Sequence, residues 1–268
     1  MKKIDLKKIL ESETPYLSKK IPRFISDFAI KNLNKLMKIK IMNDFIEKNT
    51  SVRGIDFIQS IFDTLNFSYD LDNSNYIPAK GRLIVVCNHP LGGMDGLAAL
   101  HAISSVRKDV KVIVSSVLMN IENLADLFIP YNVYNISAQK RNMNNISKSF
   151  HNEEAIIFFP AALVSRLTWN GIKDRQWRNG PAYFAKKYNS PVLPLYIQGR
   201  NTKLFYIATA IHRRLAMILL PREIINKKDV RITLKVGKII PAETFSGNEQ
   251  GFLLKLTNLL RKKVYNLD

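Results

Sequence analysis

The sequence predicts an α/β fold, with a central mixed, largely parallel β-sheet flanked by helices and an N-terminal helical segment ahead of it. Two patterns predict this. From about residue 67 onward, short apolar runs alternate with segments of helical periodicity, the signature of a layered α/β structure. Before that point the apolar residues recur at helical spacing. A chain of 268 residues, 46% of them hydrophobic, is long enough to bury a substantial core.

The elements follow in order. Residues 1–66 are expected to form an N-terminal helical segment able to associate with a membrane, and residues 67–268 the α/β domain. In the first, Ile25, Phe28, Ala29, Leu33 and Leu36 make an apolar stripe, with Lys31, Lys35, Lys38 and Lys40 around it. Residues 1–40 carry eleven Lys/Arg against four Asp/Glu. A basic amphipathic face of this kind suits an anionic bilayer, or packs its stripe inward with the lysines outward. In the second part, strands are expected at 83–87, 110–114, 155–159, 192–197 and 231–236, and helices at about 95–106, 139–151 and 180–188. The strand at 231–236 alternates Ile232, Leu234 and Val236 with Arg231, Thr233 and Lys235, which places it half-exposed near a sheet edge. Residues 204–220 are apolar around His212, Arg213 and Arg214, as in a packed helix with a snorkelling basic centre or a second membrane-facing patch. A last helix is expected to open with a capping box at Ser246 and Glu249 and to bury Leu253, Leu256, Leu260 and Val264.

Charge and composition exclude several classes. Cys87 is the only cysteine, so no internal disulfide forms, and the four histidines show no zinc spacing. A reducing, cytoplasmic setting follows, peripheral on the inner face of the cytoplasmic membrane. No run approaches the ~18 apolar residues of a spanning helix. A net charge of +19 suits an anionic membrane surface or an acidic partner protein. Nucleic acid is the partner class that charge alone would also allow, but no helix-turn-helix, RNA-binding signature or zinc module accompanies it, and none is expected.

The most informative segment runs from Arg82 to Gly96. An apolar strand leads directly into Asn88-His89-Pro90-Leu91-Gly92-Gly93-Met94-Asp95, with the carboxylate at the start of a helix. Such a turn folds His89 and Asp95 toward each other, while the glycines let backbone N–H groups enter the same space. A histidine held by a carboxylate is the usual general base at neutral pH. A structural histidine and a phosphate-cradling loop are the competing readings. No Gly-Lys-Ser/Thr, G-x-G-x-x-G or G-x-S-x-G accompanies the loop.

These residues resemble the first motif of the glycerolipid acyltransferases, Asn-His followed closely by Asp. Five residues separate His89 and Asp95 here, against four in the commonest form. With Pro90 after the histidine and Gly96 after the aspartate, the segment is similar to the hemolysin-like and amino-acid-lipid (ornithine- or glycine-lipid) branch. The likeness covers roughly residues 67–240. Phe158-Phe159-Pro160 through Ser165-Arg166 resembles the third motif, although Ala162 and Leu163 stand where that branch has Gly and Glu. Arg178 and Gly180 resemble its Arg/Lys-x-Gly, and the strand around Pro194 its fourth motif. The resemblance implies O-acyl transfer from an acyl carrier protein or coenzyme A thioester to a lysolipid hydroxyl. His89 and Asp95 are then catalytic, and Asn88, Gly92, Gly93, Ser165, Arg166, Arg178 and Gly180 bind substrate, with Gly92 and Gly93 supplying oxyanion donors. Neither a metal nor a cofactor is implied beyond the thioester co-substrate. The missing Glu at Leu163 allows an alternative, a lipid-binding pseudo-enzyme of the same fold.

Overall fold

A computed structural model describes residues 26–131, 136–169, 171–211, 215–247 and 250–268. Three helices come first: α1 (Ser26–Leu36), α2 (Ile39–Lys48) and α3 (Gly54–Leu65). Strand β1 (Ser68–Asp72) follows, then β2 (Leu83–Cys87), α4 (Gly93–Ser104), β3 (Val110–Ser115), β4 (Phe128–Tyr131), α5 (Ile136–His151) and β5 (Ala155–Phe158). A small hairpin, β6 (Arg166–Thr168) and β7 (Gly171–Lys173), precedes α6 (Gly180–Tyr188) and β8 (Val192–Gln198). The chain closes with α7 (Lys203–Ile211), α8 (Leu215–Ile225), β9 (Arg231–Val236) and α9 (Phe252–Tyr265).

Seven strands form one sheet in the order β1-β9-β8-β2-β5-β3-β4. Every neighbouring pair is parallel except β8 with β9, which is antiparallel, so the sheet is mixed and largely parallel as expected. Strand β2 lies near its middle, and the alternation of its side chains separates two cores. Leu83, Val85 and Cys87 pack with Phe57, Ile58 and Phe62 of α3 and with Met94, Ala98 and Leu100 of α4. Ile84 and Val86 face the other way, toward Phe150 of α5, Phe184 of α6 and Leu260 of α9. Burial on both faces explains why β2 is an unbroken apolar run. The helix α3 shares the core of the sheet, since Phe57 and Ile58 are fully buried there.

The five expected strands are all present. Strand β9 alternates as predicted and lies one position in from the edge strand β1. Strands β1 and β4 and the β6–β7 hairpin are additional. The last helix starts later than the capping pattern suggested: Gly251, with φ +74°, precedes Phe252, and the Ser246 hydroxyl donates to the Glu243 carbonyl instead. Glu249 lies outside the described residues, as do Ile25, the basic run before it and His212–Arg214. The side chains of Phe28 and Ala29 also lie outside them. The apolar stretch 204–220 divides between α7 and α8 rather than forming one element. No described helix is long and apolar enough to cross a membrane.

Candidate active site

The carboxyl end of β2 carries the site. Asn88, the first residue beyond the strand, is buried and lays its amide along β8. Its Nδ2 donates to the Ile197 carbonyl at 2.9 Å, and its Oδ1 accepts from the Ile197 N–H at 2.7 Å. This two-point clamp fixes where the chain leaves the sheet. It also occupies both ends of the amide, so Asn88 positions the strand end and does not present its side chain to a substrate.

The chain then turns through Pro90 and Gly92 into α4. Gly92 sits at φ +81°, a region closed to most L side chains. A Cβ there would also lie 2.5 Å from Leu220 Cδ2, and one at Gly93 would lie 2.8 Å from Ile224 Cδ1. The glycines therefore let the turn pass beneath α8. Asp95, at the third position of α4, is completely buried. Its Oδ2 accepts from the N–H groups of Leu91 at 2.8 Å and Gly92 at 2.9 Å, and pairs with His89 Nδ1 at 2.9 Å. Burial pushes the Asp95 carboxyl above its ordinary value, and the His89 pairing and the two backbone donors oppose that rise. The histidine ring lies against Phe159, with ring centroids 4.5 Å apart. With Nδ1 committed to Asp95, Nε2 is the nitrogen left for chemistry.

These contacts revise the expected oxyanion donors. The Gly92 N–H points to Asp95, so it orients that carboxylate and is not available to an oxyanion. Of the expected pair, Gly93 remains.

A second carboxylate, which the sequence reading did not single out, organises the far side of the loop. Asp174 is buried just after β7. Its Oδ1 accepts from the His89 backbone N–H at 3.2 Å and from the Ser165 hydroxyl, and its Oδ2 accepts from Trp177 Nε1 at 2.9 Å. The Ser165 N–H in turn donates to the His89 carbonyl at 2.7 Å. Helix α9 supports the arrangement: the Tyr265 hydroxyl accepts from the Asp174 N–H, and Arg261 Nη2 donates to the Asp174 carbonyl. His89 is thus held through its ring by Asp95 and through its backbone by Asp174 and Ser165. The sequence does carry a signal, because Asp174 is the only carboxylate between Glu154 and Glu223, in a stretch crowded with Lys and Arg.

The remaining expected residues divide. Ser165 is buried and spends its hydroxyl on Asp174, so it holds the histidine loop rather than reaching a substrate. Arg166 opens β6, half-buried, four residues after the exposed Ala162. Arg178 is exposed, with its backbone N–H on the Pro160 carbonyl, and Gly180 begins α6 with open space around its Cα. Ala162 takes φ +57°, a backbone that favours the Gly expected at this position.

Other nucleophiles and ligand sets are accounted for. Cys87 is buried, and burial together with nearby Asp95 and Asp174 pushes its thiol well above the ordinary value, which removes it as a thiolate. His101 pairs with the Tyr69 hydroxyl at 2.6 Å, and His151 with the Ser147 carbonyl. Among the described residues no group of three or more His, Cys, Asp or Glu converges on a metal position.

Comparison with known proteins agrees with this geometry. A family described as "Acyltransferase" matches residues 8–268. The lyso-glycine lipid O-acyltransferase of Phocaeicola vulgatus is 31% identical over 250 residues, covering 90% of this chain and 88% of that protein. The enzyme of the same name from Bacteroides thetaiotaomicron is 30% identical over 249 residues, covering 90% of each. The crystal structure of the 1-acyl-sn-glycerophosphate (LPA) acyltransferase PlsC from Thermotoga maritima shares the fold. Its TM-score is 0.51 at 16% identity, over 88% of this chain and 96% of that one. With a His89–Asp95 pair at the end of the central strand, its carboxylate buried, and matches spanning nearly the whole chain, the protein belongs to the acyltransferase family, in the branch that holds these lysolipid O-acyltransferases.

Proposed function

We propose that the protein transfers a fatty acyl chain from an acyl carrier protein or coenzyme A thioester to the hydroxyl of an amino-acid lysolipid. A lyso-glycine lipid is the first acceptor to test, since both relatives carry that name. The observation that carries the chemistry is the 2.9 Å pairing of His89 Nδ1 with a fully buried Asp95.

In this mechanism Nε2 of His89 takes the acceptor O–H proton as the oxygen attacks the thioester carbonyl carbon. The Asp95 carboxylate holds Nδ1–H, which fixes the tautomer and stabilises the imidazolium that forms. As the tetrahedral intermediate collapses, the C–S bond breaks and the imidazolium returns its proton to the leaving thiolate. The product is the ester, and His89 is again neutral. No covalent acyl-enzyme is needed, in keeping with the burial of the Cys87 thiol and the commitment of the buried Ser165 hydroxyl to Asp174. A strongly basic surface suits an acidic carrier protein as donor and an anionic bilayer as the source of the acceptor.

The test is lipid mass spectrometry on cells that contain the acceptor and express the wild type or His89→Ala at equal soluble levels. The proposal expects loss of a lysolipid and gain of its diacyl product only with intact His89. Identical profiles would favour the binding-protein reading, which Leu163 in place of the branch's Glu motivates. Leu163→Glu then serves as a probe, because the exposed Leu163 follows Phe159, whose ring lies against His89, by four residues. A change in acceptor preference would place this loop at the headgroup.

A further inference from the structure

The β6–β7 hairpin and α7 share a small core of Val164, Phe205, Tyr206 and Leu219, with Ile172 packed against it. Helix α7 buries Phe205, Tyr206 and Thr209 on that side. Its opposite side is also apolar: Leu204, Ile207 and Ile211 follow at helical spacing and are 44%, 59% and 76% exposed. A helix that is apolar on both sides has either a second protein neighbour or a nonaqueous one. The hairpin adds Leu167, which is 66% exposed, and Trp169, whose indole is fully exposed at the tip. Large apolar side chains gathered in this way mark a contact surface.

The charge around this patch indicates what it contacts. Residues 163–180 and 200–211 contain Arg166, Lys173, Arg175, Arg178, Arg200 and Lys203, and the only carboxylate among them is the buried Asp174. Exposed apolar side chains borne on segments this rich in cations, with an aromatic ring at the hairpin tip, fit the interface of an anionic bilayer. The patch is also tied to the catalytic loop. Val164 lies against Gly92, Ser165 bonds the His89 carbonyl, and Asn201, just before α7, donates to the Pro90 carbonyl at 3.1 Å.

We propose that the hairpin tip (Leu167 and Trp169) and the outer stripe of α7 (Leu204, Ile207 and Ile211) form one surface that seats the protein on an anionic lipid bilayer beside His89. The proposal rests on the lysolipid reading only for the source of the acceptor, and the test separates the two.

Trp169 is itself the probe, because Trp177, the other tryptophan, is buried. Full-length protein is mixed with phosphatidylcholine vesicles, with and without phosphatidylglycerol, and tryptophan emission and co-sedimentation are recorded. A blue shift, quenching by lipids brominated in the acyl chain, and tighter binding to the phosphatidylglycerol vesicles are expected. Trp169→Glu and Ile207→Glu should each weaken binding about tenfold or more. Leu254→Glu, on α9 and 45% exposed in the wild type, should bind like wild type. Unshifted emission with vesicles bound, or variants that bind as well as wild type, would overturn the proposal. So would a concentration-dependent dimer that hides Trp169 without lipid. Turnover of a short-chain, monomerically dispersed lysolipid is measured in parallel. If wild type binds vesicles through Trp169 yet acylates nothing, the surface stands and the catalytic reading falls.

Discussion

Asp95 and Asp174 show how two carboxylates on opposite sides of one histidine divide the work. Asp95 meets the ring and Asp174 meets the backbone, so replacing each should give a different signature. Asp174→Asn turns one acceptor into a donor facing the Ser165 hydroxyl or the Trp177 indole. It should cost about 1–3 kcal/mol in urea unfolding and lower activity by displacing the loop. Asp95→Asn keeps an acceptor for Leu91 and Gly92 but removes the charge opposite the imidazolium, so activity should fall far more than stability. The pH dependence has a definite sign. Burial raises the Asp95 carboxyl in the folded state, so its contribution to stability falls as pH rises above about 4, its unfolded value. Wild-type stability relative to Asp95→Asn should therefore decline as pH rises above about 4, and a rise there would contradict the assignment. Asp70, held below its ordinary value by the Arg231 side chain, has the opposite slope. At Ala162 the left-handed backbone predicts that Ala162→Gly stabilises the protein by about 1 kcal/mol, read as a higher urea midpoint. The His89–Asp95 pair was legible because its chemistry lies within one short motif. The roles of Asn88, Ser165 and Asp174 were not, because their distant partners, Ile197 for the first and the His89 backbone for the other two, become neighbours only through the sheet and the hairpin.

At the level of elements, the buried strands were the most legible. Strands covered on both faces must be apolar, and β2 and β5 are throughout, as is β8 up to its exposed last residue, Gln198. Strand β1 escaped because it lies at a sheet edge, where polar residues such as Ser68, Asp70 and Asp72 are tolerated, and β4 because it has four residues and contains Pro130. The β6–β7 hairpin escaped because two three-residue strands carry no periodicity. The start of α9 was misplaced because Ser246 found a partner in Glu243 within its own turn. Helix α3, placed by sequence in the N-terminal segment, inserts Phe57 and Ile58 into the core of the sheet. Phe57→Ala should therefore destabilise the whole fold by about 3–5 kcal/mol in a single cooperative transition. A separate early transition confined to residues 26–65 would instead show that the helices unfold on their own.

Across the whole molecule, the fold brings an exposed apolar patch and the His89–Asp95 pair to one end of a largely parallel sheet. With a net charge of +19, affinity for anionic vesicles should fall as salt is added, and salt-independent binding would argue against the electrostatic part of the account. Composition made that charge plain from the start. It did not reveal which face uses it, because that depends on the hairpin and α7 meeting at the histidine loop. The central claim, that His89 supplied by Asp95 drives acyl transfer, is tested most directly with purified protein. Thiol release from an acyl thioester is followed in the presence of lyso-glycine lipid for wild type, His89→Ala and Asp95→Asn. The account predicts ester formation by wild type, a loss of about 10²- to 10⁴-fold for His89→Ala at unchanged fold, and a clear loss for Asp95→Asn. Equal rates for wild type and His89→Ala would contradict it.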